Sequence, residues 1–196
     1  MTEQDQAHMR ELMQQIRGAQ RELNELQRRV AAGPMDDAVL QGPEGDVPLS
    51  ALFGDHDDLV LSFNMGTFCP YCTLWADEQS GVLDHLESRA AFAVVSPDPV
   101  EVQQAFAKER GWRFRMVSHG ATRFAVQEGF AEHDGERFHN LMPGFVTVRR
   151  TADGLRRTGR GFYKPGDPYC SVYHYFEQLH DGAGDWHPRL RYGGAS

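Results

Sequence analysis

Cys69 and Cys72 stand two residues apart, between the apolar run Asp58-Leu59-Val60-Leu61-Ser62-Phe63 and a segment of helical spacing. Two thiols at this separation can close into a disulfide with little backbone movement. A cysteine in the first turn of a helix has its thiolate stabilised by the positive end of the helix dipole. Disulfide exchange runs through the thiolate, so the pattern creates a reactive first cysteine and a resolving second one. A CxxC between strand and helix is a far stronger signal than a CxxC alone.

Composition narrows the setting. The chain has 196 residues and a net charge of −8, which argues against a general nucleic-acid binder. Seven acids and no Lys or Arg fall in residues 36–58, and nine Arg against five acids fall in 113–160. Such asymmetry reads first as two solvated faces, and second as an Arg-rich rim that favours anions or tunes a thiolate. The chain has only three cysteines, Cys69, Cys72 and Cys170, fewer than a secreted disulfide scaffold carries. The polar, acidic start has no apolar core of a signal peptide, and no stretch reaches membrane-spanning length. A cytoplasmic protein is the expectation, with a transient rather than a structural disulfide.

The chain divides into a helix and a domain. Residues 3–31 place Met9, Leu12, Met13, Ile16, Leu23, Leu26 and Val30 at helical spacings, and Gly33-Pro34 stops the helix. This amphipathic segment, residues 1–33, either packs on its own domain or pairs two subunits as a homodimer arm. Residues 34–182 form the domain, and 183–196 a Gly-rich tail expected to be loosely ordered. Within the domain, Gly42-Pro43-Glu44-Gly45 turns a small hairpin and Ala91–Ser96 is a buried strand. Asp98 is expected to cap a helix that has Pro99 at its first position and ends at Gly111. Phe114–Val117 is a short strand and Ala121–Gln127 a short helix. Phe145–Arg150 and Leu155–Phe162 form a hairpin, and Tyr169–Leu179 is the last helix.

Strand, CxxC, helix, strand, helix, hairpin, helix is the order of the thioredoxin fold: an α/β domain with a mixed central sheet flanked by helices. That fold places a cis proline before the first hairpin strand, so Pro143 in Met142-Pro143-Gly144 is expected to be cis and to face the CxxC. A substrate chain would pair with the backbone of Met142 beside Cys69. Cys69 is then the exposed nucleophile and Cys72 the more buried resolving thiol. Pro70 suits a first helical turn because it has no N–H to leave unpaired, and Phe68 and Tyr71 form the rim that substrates touch. Trp75 reads mainly as packing. Asp77 is either a surface acid or a proton acceptor for Cys72.

Cys170 falls near the active end in this topology. It reads as a small buried residue, as a second resolving thiol, or, with Cys69, Cys72 and His174, as a three-cysteine, one-histidine zinc set. His119, His133 and His139 read as polar loop residues. No metal or other cofactor is expected.

From Val39 to about Leu179 the chain resembles a thioredoxin-like family, domain of unknown function number 899, whose members are predicted dithiol-disulfide oxidoreductases. The resemblance rests on Gly42-Pro43-Glu44-Gly45 with Leu49–Phe53, Phe63-Asn64-Met65-Gly66, Cys69-Pro70-Tyr71-Cys72-Thr73-Leu74-Trp75-Ala76-Asp77, Val94-Val95-Ser96, Gly111-Trp112 and Pro143-Gly144-Phe145-Val146. It implies the fold and a redox activity on a disulfide or dithiol substrate, and names no substrate. Glutaredoxins also carry the Pro-Tyr dipeptide, which implies a potential near roughly −200 to −230 mV. Peroxiredoxins place their nucleophile in Pro-x-x-x-Thr-x-x-Cys. Here Thr67 is two residues before Cys69 and the proline is missing, so a thiol peroxidase fits less well. The remaining alternative is a metal-binding or non-catalytic interaction module on the same fold.

Overall fold

The computed structural model describes residues 1–193. Helix α1 (Glu3–Ala31) opens with a capping box in which the Thr2 hydroxyl and the Asp5 carboxylate exchange bonds with each other's backbone N–H. Strands β1 (Gly33–Met35), β2 (Val39–Gly42) and β3 (Gly45–Pro48) follow, then a 3-10 turn at Leu49–Phe53. The core units are β4 (Asp58–Phe63), α2 (Pro70–Gly81), α3 (Leu83–Glu87), β5 (Ala91–Ser96), α4 (Val100–Arg110) and β6 (Arg115–Ser118). A helical turn α5 (Phe124–Gln127) and a two-residue ribbon, β7 (Glu132–His133) with β8 (Phe138–His139), lead to the hairpin β9 (Gly144–Thr151) and β10 (Gly154–Phe162) and to α6 (Ser171–Phe176).

Eight strands make one sheet in the order β1-β10-β9-β4-β5-β6-β2-β3. Strands β4, β5 and β6 run parallel, and β9 lies antiparallel to β4 with Phe63 opposite Gly144. Parallel strands at the centre of a sheet are covered on both faces, and the sequence obeys that rule. Leu59, Leu61, Phe63, Ala93 and Val95 point to one core with Phe53, Phe124 and Phe130. Phe92 and Val94 point to the other with Ala76, Leu83, Trp112 and Phe114. A third cluster gathers Cys69, Cys72, Trp75, Tyr163 and Cys170 at the carboxyl end of β4.

Several expectations change. Every described peptide bond is trans, Pro143 included. Pro99, not Asp98, is the N-cap of α4 and makes no side-chain cap bond. The short helix starts at Phe124 because the Thr122 hydroxyl accepts the Phe124 N–H at 3.3 Å, which makes the residues before it a turn. The last helix is trimmed to Ser171–Phe176, with Gly182 and Gly184 at positive φ beyond it. Gly33-Pro34 not only ends α1 but enters the sheet as edge strand β1, where a proline N is tolerated. His119 is a core residue at 1% exposure, and its ring meets Phe138 edge-on.

The segment read as a tail is tied to the body. Trp186 packs on Tyr173 and Phe176, His187 Nδ1 lies 2.8 Å from the Tyr71 hydroxyl, and Arg110 donates to the Leu190 carbonyl at 2.9 Å. Residues 194–196 of that segment lie outside the described residues. Among the described residues no helix is long and apolar enough to cross a membrane.

Candidate active site

Strand β4 ends at Phe63, and five residues carry the chain to the cysteines. Gly66 turns with φ +126°, a conformation that favours glycine. A Cβ there would crowd Asp98 Oδ1 at 3.1 Å and the Phe68 ring at 3.1 Å. The Thr67 N–H donates to Asp98 Oδ2 at 2.7 Å, and the Gly66 N–H to the Asn64 side chain at 2.8 Å. Asp98 therefore braces the cysteine loop from β5's carboxyl end. Its acidic, helix-leading position suggested only a cap, and nothing local in sequence links it to Thr67.

Cys69 is the N-cap of α2, and its sulfur accepts the Cys72 N–H at 3.2 Å. Pro70 occupies the first turn, where no N–H is needed. The Thr73 hydroxyl donates to the Cys69 carbonyl at 3.0 Å and locks the turn. Cys72 sits one turn inward, and its sulfur accepts the Met65 N–H at 3.4 Å.

The two thiols are driven apart. The Cys72 thiol donating to the Cys69 sulfur, with backbone N–H groups of Cys72 and Tyr71, outweighs burial and lowers the Cys69 pKa from 9.0 to about 7. That same bond, then burial and the neighbouring thiolate, push Cys72 up. A thiolate at a helix N-terminus beside a protonated partner has the polarity that exchange chemistry needs. Cys69 is not exposed as expected: it is 5% accessible and Cys72 3%. Tyr71, Val172 and Tyr173 pack against the buried cluster that holds the pair.

The other predicted residues divide. Phe68 is 66% and Met142 45% exposed, so both present apolar surface at this end. Pro143 is half-buried, and its carbonyl accepts the Tyr163 N–H at 2.9 Å. Tyr71 is partly buried, with its hydroxyl 3.0 Å from that of Tyr173.

Trp75 is buried against Tyr163, ring centroids 5.3 Å apart, and is a packing residue. The Asp77 carboxylate accepts two bonds from Arg110 and one from Trp112 Nε1 at 2.8 Å. It pins α2 to the end of α4 and is occupied by those donors rather than by Cys72.

Cys170 is fully buried in the same cluster, and burial pushes its thiol up. All three cysteines are free. Among the described residues no three His, Cys, Asp or Glu side chains gather as a metal set. His174 Nε2 meets the Asp167 carbonyl at 3.0 Å instead. Tyr163, unremarked in the sequence, ties the site to the sheet. Its hydroxyl accepts Gln79 Nε2 at 2.9 Å and lies 3.3 Å from Ser62 Oγ, and burial pushes the phenol up.

The sequence profile of a family described as a bacterial protein of unknown function, DUF899, matches residues 2–186. The chain belongs to the DUF899 family. Its match includes α1 as well as the domain with the CxxC, so in DUF899 the long helix is part of the family unit. No curated protein matches the chain. Solved structures similar to this DUF899 chain include Peroxidoxin BcpB from Mycobacterium tuberculosis, at 23% identity over 67% of this chain and 81% of that one, TM-score 0.54. A Cys-to-Ser mutant of Xylella fastidiosa PrxQ is 15% identical over 72% and 91%, TM-score 0.59. Reduced Prx3 from Vibrio vulnificus is 17% identical over 69% and 87%, TM-score 0.56. At these identities the likeness establishes a thioredoxin-like fold.

Proposed function

We propose that this protein is a thiol-disulfide oxidoreductase in which Cys69 is the nucleophile and Cys72 the resolving thiol. The observation that carries the reading is the placement of the two cysteines: Cys69 is the N-cap of α2 with its sulfur accepting the Cys72 N–H at 3.2 Å, and Cys72 sits one turn inward, so the lowered Cys69 pKa and the raised Cys72 pKa follow from geometry. The Cys69 thiolate attacks one sulfur of a substrate disulfide, forming a mixed disulfide and expelling the other sulfur as a thiolate. Cys72 then loses its proton to solvent and attacks Cys69. A Cys69–Cys72 disulfide forms and the second substrate thiolate leaves. The substrate gains two electrons and the CxxC loses two; the reverse sequence oxidises a dithiol.

Phe68, Met142 and Tyr71 supply the apolar rim for the chain that bears the substrate sulfur. Because Cys69 is 5% exposed, productive attack needs the rim to part over it. A cytoplasmic setting, where disulfides turn over, suits this chemistry.

The experiment is a glutathione redox titration read by alkylation and intact mass. One reversible two-electron step confined to Cys69 and Cys72, between roughly −270 and −120 mV, supports the reading. Cys69→Ser abolishes exchange and Cys72→Ser traps the mixed disulfide; full activity in Cys69→Ser would sink it.

A second reading comes from the fold neighbours, which are peroxiredoxins by name. Here Cys69 attacks a peroxide O–O bond, giving a sulfenic acid and an alcohol or water, and Cys72 condenses with it, releasing water. Consumption of peroxide by the reduced protein at a rate above that of free thiol, with no exchange on disulfides, would favour it.

A further inference from the structure

Helix α1 is turned the wrong way round for a helix that serves only its own domain. The side it gives to the body is polar: Gln20, Asn24 and Gln27 are half-buried, followed by buried Ala31. Gln27 and Arg28 lie over Gly161 and Gly159 of β10, and Arg157 donates to the Ala31 carbonyl at 2.7 Å. The apolar side faces away. Met9, Leu12, Ile16, Leu23, Leu26 and Val30 are 43–68% exposed. A stripe of this size left bare on a soluble surface marks an interface.

The stripe has a specific geometry. Met9, Leu12, Ile16, Ala19, Leu23, Leu26 and Val30 alternate by three and four residues, the a/d seam of a two-stranded coiled coil. At its carboxyl end the seam widens into a groove of about 270 Å³, where Leu23, Leu26 and Val30 face Arg160 and Phe162. The charges run in opposite senses along the helix. Residues 3–16 carry Glu3, Asp5 and Glu11 against Arg10, whereas residues 17–31 carry Arg17, Arg21, Arg28 and Arg29 against Glu22 and Glu25. Arg160 adds to the basic end.

We propose that α1 is a dimer arm that pairs antiparallel with α1 of a second copy of this chain. The acidic half of each arm lies over the basic half and the Phe162 groove of the other. A parallel pairing would set acidic half on acidic half and basic on basic. The antiparallel one also opposes the two helix dipoles. The inference is independent of the redox reading, because the seam shares no residue with the cysteine cluster.

The test is sedimentation equilibrium of the full chain from about 1 to 100 µM. The wild type is expected at twice the 22.1 kDa chain mass, and the Leu12→Glu/Ile16→Glu variant at 22.1 kDa. Both side chains are exposed and lie before the Gln20–Ala31 stretch that packs on the body, and an unchanged near-UV spectrum checks that the body stays folded. Gln14→Glu, off the seam, is expected to remain a dimer. Leu12→Cys decides the orientation: antiparallel pairing keeps the two added thiols far apart and oxidation leaves the chains unlinked, whereas parallel pairing would set them side by side and cross-link the dimer. A wild type that stays at 22.1 kDa at 100 µM, a seam variant that stays dimeric, or a Leu12→Cys variant that cross-links into a covalent dimer each overturns the proposal.

Discussion

The bond from the Cys72 thiol to the Cys69 sulfur is the first cause of the low Cys69 pKa, ahead of the backbone donors. Removing it therefore has a calculable result. The displacement from 9.0 to about 7 is two units, worth about 3 kcal/mol in favour of the thiolate at ~1.4 kcal/mol per unit. In Cys72→Ala the backbone N–H groups at positions 71 and 72 and the burial of Cys69 remain and act in opposite directions, so the Cys69 midpoint should rise by more than about one unit. The thiolate fraction at pH 7 would then fall from about half to below roughly a tenth. Cys72→Ser keeps a donor in place and should hold the midpoint between the other two. The assay is iodoacetamide modification of Cys69 as a function of pH, resolved by peptide mass so that Cys170 is counted separately. The midpoint is the readout, because intrinsic nucleophilicity changes with pKa and would distort a rate comparison. A Cys72→Ala midpoint still near 7 would refute the argument and assign the shift to the helix terminus alone.

Other perturbations have equally definite signs. Burial lowers the His119 pKa from 6.5 to about 4; the unfolded chain binds that proton first, so stability is full above pH 6.5 and is lost as pH falls toward 4. The loss is about 3 kcal/mol, and His119→Phe should flatten this acid limb in urea titrations at stepped pH. Asp77→Asn should weaken the hold on Arg110 and Trp112 and lower Tm by roughly 2–4 °C while leaving the Cys69 midpoint in place; a midpoint shift would return Asp77 to proton handling. Gly144→Ala puts a methyl against the Gly161 carbonyl and, at 2.6 Å, against the Phe130 ring, so denaturant unfolding should show a loss of about 3 kcal/mol or more. The reduced protein should gain stability between pH 7 and about 9 through Cys69, whose folded pKa lies below its unfolded one; a gain absent from Cys69→Ala but present in wild type would be seen by thermal melts.

What could be read in advance follows from range. The CxxC, the buried strand Ala91–Ser96, the Gly42–Gly45 turn and the β9–β10 hairpin are declared by residues a few positions apart, and all stand where expected. Asp98 is different. An acid before Pro99 satisfies every local rule for a cap, yet its Oδ2 accepts the Thr67 N–H, 31 residues away. The packing around Cys69 was hidden for the same reason, since Val172 and Tyr173 reach its cluster only after the hairpin has folded back. His119 shows the limit of composition: a polar type in a stretch of Ser and Gly reads as loop, although β6 carries it into the core. The fold class was legible because the order of elements survives such errors.

The docking of residues 186–190 reaches beyond the cysteines themselves. His187 meets Tyr71 across 116 positions of chain, and Arg110 grips the Leu190 carbonyl with the same guanidinium that holds Asp77. A shortened protein ending at Gly182, the natural cut if this stretch were trimmed as surplus, would lose Trp186 from Phe176 and His187 from the Tyr71 hydroxyl, which keeps only Tyr173 as its polar neighbour. Potentials and thiol reactivities measured on it would describe a motif with a missing wall, and a tag fused close behind Leu190 would press on that same wall.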